Sequence, residues 1–396
     1  MGIFLPVALV PPNTKNCINS LAQSKKPNVP SNFFLFAAFL KNAFVVLVIG
    51  LSNLFFISKL YALGFNDLKV QKLQDFEYAW GMDLIDNENL LVSEKKGVLY
   101  IYNFSTGKIV GKEAYNDVLS KRQGGLLDII FVKDKEKNFV FSCYQNLSSD
   151  LIVARHELKN FKFLNKKIIF SSKYQSRSGV HFGCRFINYK NNILFSIGDR
   201  GDRNNSQNSK NYPGSIIKID YEGNHKITKE GWLSGIFSMG HRNPQGLIYI
   251  KEFDEIWSHE HGPKGGDEIN IVKMGKNYGW PVVTYGKEYW GGKIGVSKPV
   301  KGYEDPIWKW IPSIAPSGMA FYNNDYFEFL KNKILVGSLK FKTLYIVNLN
   351  NKRPSTEIKF LKNKIGRIRD VLVHPKGHIL LINDERDGGL FKLDKY

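Results

Sequence analysis

From about Asp75 onward the chain is a succession of short apolar runs separated by turns rich in Gly, Asn, Asp and Lys. Runs of that length between such turns predict strands, and no helical periodicity interrupts them. One unit recurs: an apolar strand, a polar loop, then a second strand ending in a charged turn. Its six copies are LLVSEKKGVLYIY from Leu90, FVFSCYQNLSSDLIVARHEL from Phe139, ILFSIGDRGD…GSIIKID from Ile193, EIWSHEHGPKGGDEINIV from Glu255, KILVGSLKFKTLYIVNL from Lys333 and HILLINDERDGGLFKL from His378. A further strand precedes each copy, in the runs WGMDLID, QGGLLDIIFV, HFGCRFINY, HRNPQGLIYI, APSGMAFYN and GRIRDVLVHP. A spacing of roughly 40 to 80 residues with about four strands per unit predicts an all-β fold, a six-bladed β-propeller with loops of unequal length. The absent helical period excludes an α/β barrel, and a two-sheet sandwich would have to hold too many strands.

The N-terminal pattern differs. From Phe33 to Ile57 the chain is almost wholly apolar, about the 20 residues a helix needs to cross a hydrocarbon core. Lys41 interrupts it, so the unbroken run from Ala43 is nearer the core of a signal peptide than a full span. Lys15, Lys25 and Lys26 precede the run and no acidic residue occurs before Asp67, a bias that keeps the N-terminus cytoplasmic and exports the body of the chain. The expected organisation is a basic leader, residues 1–62, and a propeller domain, residues 63–396. The apolar segment 33–57 would be a helical signal or an uncleaved anchor, and the domain would be periplasmic or exported, tethered to the inner membrane if the anchor is kept.

Composition adds two exclusions. With 43% hydrophobic residues and 3 Cys, the chain is neither disordered nor a disulfide-stapled miniprotein. The formal charge of +20 suggests a polyanion partner, but it falls to about +15 without the leader. Basic and aromatic residues form no contiguous stripe, so nucleic acid is not an expected partner. Cys17 precedes the apolar segment. Cys143 and Cys184 could pair in an oxidising compartment, but no spacing logic joins them, and buried free thiols are the expectation.

In a four-stranded blade, the entry to the innermost strand and the loop between the second and third strands lie on one face. The unusual residues fall at these places. Gln123, His181, Arg242, Ser317, Arg367 and Arg369 stand at innermost-strand entries; Asp199–Asp202, Gly262–Pro263 and Lys340 stand in second-to-third loops. A histidine there suits general-base work. An arginine before Asn243-Pro244 can stabilise developing negative charge. Loop carbonyls at Gly262-Pro263, with Asp267 and Glu268 close by, suit a hard cation such as Ca²⁺. Lys340, Arg367 and Arg369 suit a small polycarboxylate, the two arginines pointing to one side because they alternate on a strand. Together these residues fit a Ca²⁺-assisted redox cofactor bearing carboxylates, or a Ca²⁺-dependent hydrolase.

The runs SMGHRNPQGL, IWSHEHGPKGGDEINIV, GKNYGWPVVTYG, PSIAPSGMAFY, LVGSLK and GRIRDV, in that order, resemble the soluble aldose dehydrogenases that use pyrroloquinoline quinone. The resemblance covers most of the chain from about Asp75 and implies a six-bladed propeller. It implies an enzyme that oxidises the anomeric hydroxyl of aldose sugars to lactones and passes electrons to an external acceptor. In that family's terms His181 matches the general base, Gln123 a residue near the substrate, Arg242 the group that steadies the developing quinone oxyanion, and Asn243 a cofactor contact. Gly262 and Pro263 match carbonyl ligands of the catalytic Ca²⁺, and Asp267 and Glu268 a second Ca²⁺ region. Lys340, Arg367 and Arg369 match the cations that hold the cofactor's carboxylates. The chain departs from the soluble glucose dehydrogenases at Val180, where they carry an acid, and in lacking their long insertion between Gly286 and Pro312. Trp310 and Ile311 are expected in place of their aromatic substrate wall, which puts the chain nearer the aldose sugar dehydrogenase branch. A Ca²⁺-dependent lactonase and a propeller that only binds glycans or proteins are the alternatives.

Overall fold

Six four-stranded antiparallel sheets, five of them consecutive meanders, make up the computed structural model, which describes residues 64–65 and 67–396. The apolar segment 33–57 and the rest of the leader lie outside the described residues. The innermost strands of blades one to six are Ala79–Leu84, Leu126–Asp134, Gly183–Tyr189, Pro244–Ile250, Pro316–Tyr322 and Ile368–Val373. Burial varies with position in the blade. The second strand of blade one, Asn89–Glu94, is buried at every residue because neighbouring blades cover both its faces. The outermost strand, Lys108–Ala114, alternates between partly covered and exposed residues. The hydrophobic cores therefore lie between blades, as where Phe141 of blade two packs with Phe195 of blade three.

Blade six closes the ring with a strand the repeat did not reveal. Leu68–Asp75, from the start of the described chain, pairs antiparallel with the third strand of that blade, Gly389–Lys395. Its sequence, LKVQKLQD, is too polar to read as part of a buried unit, and its partner lies at the far end of the chain.

Every innermost strand carries a register shift near its start, at Ala79/Met82, Leu126/Ile129, Gly183/Phe186, Pro244/Gly246, Pro316/Met319 and Ile368/Asp370. Such bulges bend a strand and re-aim its side chains. Here they bring the ends of six strands round the channel. Two depend on glycine: a Cβ on Gly81 would lie 2.4 Å from Asp128 Oδ1, and one on Gly318 2.1 Å from Asp370 Oδ1. Both carboxylates instead reach Arg185, at 3.1 and 2.9 Å, and the guanidinium lies 4.5 Å from the Trp80 ring centre.

The expectation of free thiols is wrong. Cys143 and Cys184 form a disulfide, with Cα atoms 5.7 Å apart. It joins the second strand of blade two, Lys137–Gln145, to the innermost strand of blade three. The two cysteines become neighbours only when the blades pack, which is why their spacing carries no signal. Removing the cross-link, by reductant or by Cys143→Ala with Cys184→Ala, is expected to cost about 2–4 kcal/mol of stability. Chemical denaturation with and without reductant measures this, and an unchanged midpoint would refute it.

Candidate active site

His181, the expected base, sits on a strained turn. His181 has φ 53°, and Gly183 and Cys184, just after it in the chain, each have φ 68°. Left-handed values at a non-glycine residue persist where surrounding structure enforces them. Here the His181 N–H donates to Gln123 Oε1 at 2.8 Å, and the disulfide pins Cys184. His181 Nδ1 lies 2.6 Å from Asp199 Oδ1, and the other Asp199 oxygen accepts from Trp280 Nε1 at 2.9 Å. Burial pushes the Asp199 carboxyl up, but the hydrogen bond and charge of His181, the Gly201 N–H and Arg242 together hold it below the ordinary carboxylate value. Asp199 therefore stays anionic and fixes the proton of His181 on Nδ1.

Arg242 stands next to this pair, its carbonyl accepting from the Asp199 N–H at 2.8 Å. Its Nη1 donates to the carbonyls of His261 and Gly262, at 2.9 and 2.8 Å, and its guanidinium lies 5.3 Å from the Trp280 ring centre. The Nε is buried without a partner.

Beside them opens a cavity of about 620 Å³. Six cations line it, Lys95, Arg122, Lys340, Lys342, Arg367 and Arg369, against the single carboxylate of Asp384. Gln123, Asn243, Gln245 and His261 complete its polar lining, with Trp80, Leu127 and Phe182 in its apolar wall. Arg367 and Arg369 do point to one side, since both donate to Asp384 Oδ2, at 3.0 and 2.8 Å. Burial raises the Asp384 carboxyl, yet Arg369 and Arg367 together drag it well below the usual range. Lys95 is held below the ordinary lysine value by burial and by Arg369 and Arg367, with Asp384 only partly offsetting them. One carboxylate does not neutralise this lining, and Arg369 Nε is buried without a partner. The chemistry suits an anion with several carboxylates.

Asn243 is 3% exposed and Lys340 reaches the Ser313 carbonyl at 3.1 Å, both on the cavity wall. Other expected residues fall elsewhere. The substrate role of Trp310 is overturned: it is buried in the outermost strand of blade four, Trp308–Trp310, and its Nε1 donates to Glu357 at 2.7 Å. Alternation points it into the core between blades and leaves Ile311 exposed. Asp267 and Glu268 do not converge on one ion, because adjacent strand residues face opposite ways. Asp267 is saturated by the N–H groups of Gly262, Ile314 and Ala315, at 2.9, 2.7 and 2.8 Å. It clasps the Gly262 turn. Glu268 lies opposite Glu260 in the register. The Gly262 carbonyl already accepts from Arg242, and that of Pro263 from Ser313 Oγ at 3.1 Å. Among the described residues no group of three His, Cys, Asp or Glu side chains converges on a metal position.

Asp199 as partner of His181, and Asp384, Lys95 and His261 in the cavity, are placements that the sequence pattern did not single out. A signal for the acids was present. The second strands of blades one and four end on an acid, Glu94 and Glu260, and in blades three and six an acid, Asp199 or Asp384, follows within two residues of the strand end.

The fold and this mouth of the channel define a class: a six-bladed propeller with a polycation-lined cavity beside a histidine–aspartate pair. The chain belongs to the glucose/sorbosone dehydrogenase family, whose model matches residues 76–392. It is 32% identical over 343 residues to the aldose sugar dehydrogenase YliI of Escherichia coli, covering 82% of this chain and 92% of that protein. With quinoprotein glucose dehydrogenase B of Acinetobacter calcoaceticus it shares 24% over 411 residues, covering 80% of this chain and 84% of that protein. The apo crystal structure of the soluble aldose sugar dehydrogenase of E. coli superposes with a TM-score of 0.76 at 31% identity, covering 83% of this chain and all of that one. The fold also matches the pyrroloquinoline quinone-bound aldose sugar dehydrogenase of Streptomyces coelicolor, with a TM-score of 0.68 at 22% identity over 83% of this chain and 98% of that one.

Proposed function

We propose that the protein is a pyrroloquinoline quinone-dependent sugar dehydrogenase that oxidises the anomeric hydroxyl of aldoses to the lactone, with Ca²⁺ assistance, and hands the electrons to an external acceptor. The observation that carries the reading is the polycation-lined cavity next to the His181–Asp199 pair. A lactonase or a purely binding propeller has no need of six cations around one carboxylate.

Each residue has a distinct part. With its proton fixed on Nδ1 by Asp199, His181 presents Nε2 as a lone pair that takes the proton of the anomeric hydroxyl. Asp199 steadies the imidazolium that results. Gln123 holds the His181 backbone through its oxygen, leaving its amide nitrogen to donate to a sugar hydroxyl. Arg242, braced by two carbonyls and Trp280, supplies fixed positive charge where negative charge develops. Lys340, Arg367 and Arg369, joined by Lys95, Arg122 and Lys342, would hold the carboxylates of the quinone, with Asn243 beside them. When bound, the quinone supplies the two-electron acceptor that no side chain provides. The Gly262 and Pro263 carbonyls would be the protein's donors to Ca²⁺. Both are neutral and Arg242 is adjacent, so the anionic cofactor has to bring the negative charge a dication needs. Export of the domain from residue 63 onward, by the 33–57 segment, completes the proposal. The disulfide supports it, since such bonds persist in oxidising compartments.

Reconstitution tests the reading. Protein given pyrroloquinoline quinone and Ca²⁺ is expected to reduce a redox dye with aldoses, and chelation is expected to abolish the activity. No reduction with any aldose and no cofactor binding would sink it, and lactone hydrolysis without quinone would favour the hydrolase.

A further inference from the structure

We propose that the channel mouth bearing the site is a docking surface for an acidic one-electron redox protein, seated on Tyr289, Trp290 and Ile311 and steered by the surrounding lysines. The inference rests on the dehydrogenase reading, which requires an electron acceptor, and specifies its chemistry.

Three large apolar side chains stand in solvent there: Trp290 is 83% exposed, Tyr289 71% and Ile311 69%. Their backbone is fixed. Lys287 pairs with both Lys264 and Lys293, and the tip is closed by hydrogen bonds between Glu288 and Gly291 and between Glu288 and Gly292, each 2.8 Å. The tip leans on the Gly262–Gly266 turn that braces Arg242: Lys264 Nζ reaches the Tyr289 carbonyl at 3.4 Å, and a Cβ on Gly265 would lie 3.8 Å from Ile311. The apolar patch is thus continuous with the wall of the site. A rigid exposed aromatic cluster of this kind marks an interaction surface.

The charge around it is one-sided. Lys121, Arg177, Lys264, Lys287 and Lys293 are exposed and form no ion pair among the described residues. The hairpin's one acid, Glu288, is taken by Arg203 at 2.8 Å. At the opposite end of the channel three turn lysines are paired, Lys190 with Asp254 at 3.3 Å, Lys331 with Asp325 at 2.5 Å and Lys376 with Glu88 at 3.3 Å, while Lys135 and Lys251 form no ion pair among the described residues. The mouth that leads to the cofactor cavity thus carries, beside the apolar patch, five exposed cations without an ion pair among the described residues. An apolar centre ringed by like charge suits a brief encounter with a small acidic carrier, steered by the field and released readily. Sugar oxidation yields two electrons and two protons. Two successive carriers each take one electron at their metal centre, and the protons pass to water.

The test uses two probes, plant plastocyanin, an acidic copper protein, and mitochondrial cytochrome c, a basic haem protein. Immobilised plastocyanin is expected to bind the protein, with or without cofactor, about tenfold more tightly than cytochrome c at low ionic strength, and to release it by about 0.5 M salt. Joint replacement Lys121→Glu, Lys287→Glu and Lys293→Glu weakens that binding about tenfold or more. Trp290→Ala weakens it at every salt concentration. In the reconstituted enzyme the charge-reversed variant slows plastocyanin reduction by a similar factor and leaves reduction of a small neutral dye unchanged. Equal binding of the two probes, binding indifferent to salt, or indifference to either set of replacements overturns the docking surface. Absence of dye reduction with every aldose overturns the dehydrogenase reading instead, while the binding measurements still decide the surface.

Discussion

His181→Ala is expected to lower kcat toward every aldose by about 10²–10⁴-fold, the range a positioned general base contributes. Quinone affinity should change little, because the cations lining the cavity come from other blades. The loss arises at one atom. Nε2 is the acceptor only because Asp199 fixes the proton on Nδ1 across 2.6 Å. Asp199→Asn should therefore reproduce much of the loss with His181 still in place, since an amide can present its NH₂ to the ring and favour the wrong tautomer. Steady-state kinetics over an aldose panel, beside a titration of quinone binding, measures both. Retained turnover in His181→Ala would remove the histidine from the mechanism. Lost quinone binding would make its role structural.

Arg185→Met is expected to cost about 3–5 kcal/mol of stability at pH 8, because it leaves buried carboxylates without their cation. Arg185 joins Asp128 of blade two to Asp370 of blade six across the channel. Burial is the main cause raising both carboxyls above their ordinary value, and Arg185 pulls them only part of the way back. An acid raised in the folded state stabilises the fold fully below its unfolded pKa and loses that contribution as pH rises through the folded value. The variant's deficit should thus shrink as pH falls and the carboxyls take up protons, and grow toward pH 8. The slope is at most about 1.4 kcal/mol per pH unit for each proton released. Urea denaturation at several pH values reads it, and Asp128→Asn in the same background should flatten the curve. A deficit independent of pH would mean that lost packing on Trp80, not charge, is responsible.

The repeat and its face were legible because a propeller blade is a local object. Strand, turn and strand succeed one another in the chain, so the residues at innermost-strand entries, from Gln123 to Arg369, could be assigned to one mouth before any contact was known. Arg367 and Arg369 point to one side for the same local reason, the two-residue period of a strand. Trp310 misled because exposure at a strand end depends on the neighbouring blade, and here that blade buries it against Tyr345. The Gly262-Pro263 turn is placed on this face by its position in the repeat, but the donation of Arg242 and Ser313 to its carbonyls comes from other segments of the chain.

The sequence by itself determined the blade count and the face on which the candidate site residues gather, since these come from periodicity and from which residue types sit in turns. Only the tertiary structure decided the pairings between blades: the ring closure by Leu68–Asp75, the Cys143–Cys184 bond, the hold of Asp199 on His181 and of Asp384 on two arginines. The reason is physical. Within a blade, hydrogen bonds and alternation link residues a turn apart. Between blades, contact is set by how twisted sheets pack round a closed channel, and no spacing along one chain encodes which two residues that packing brings together.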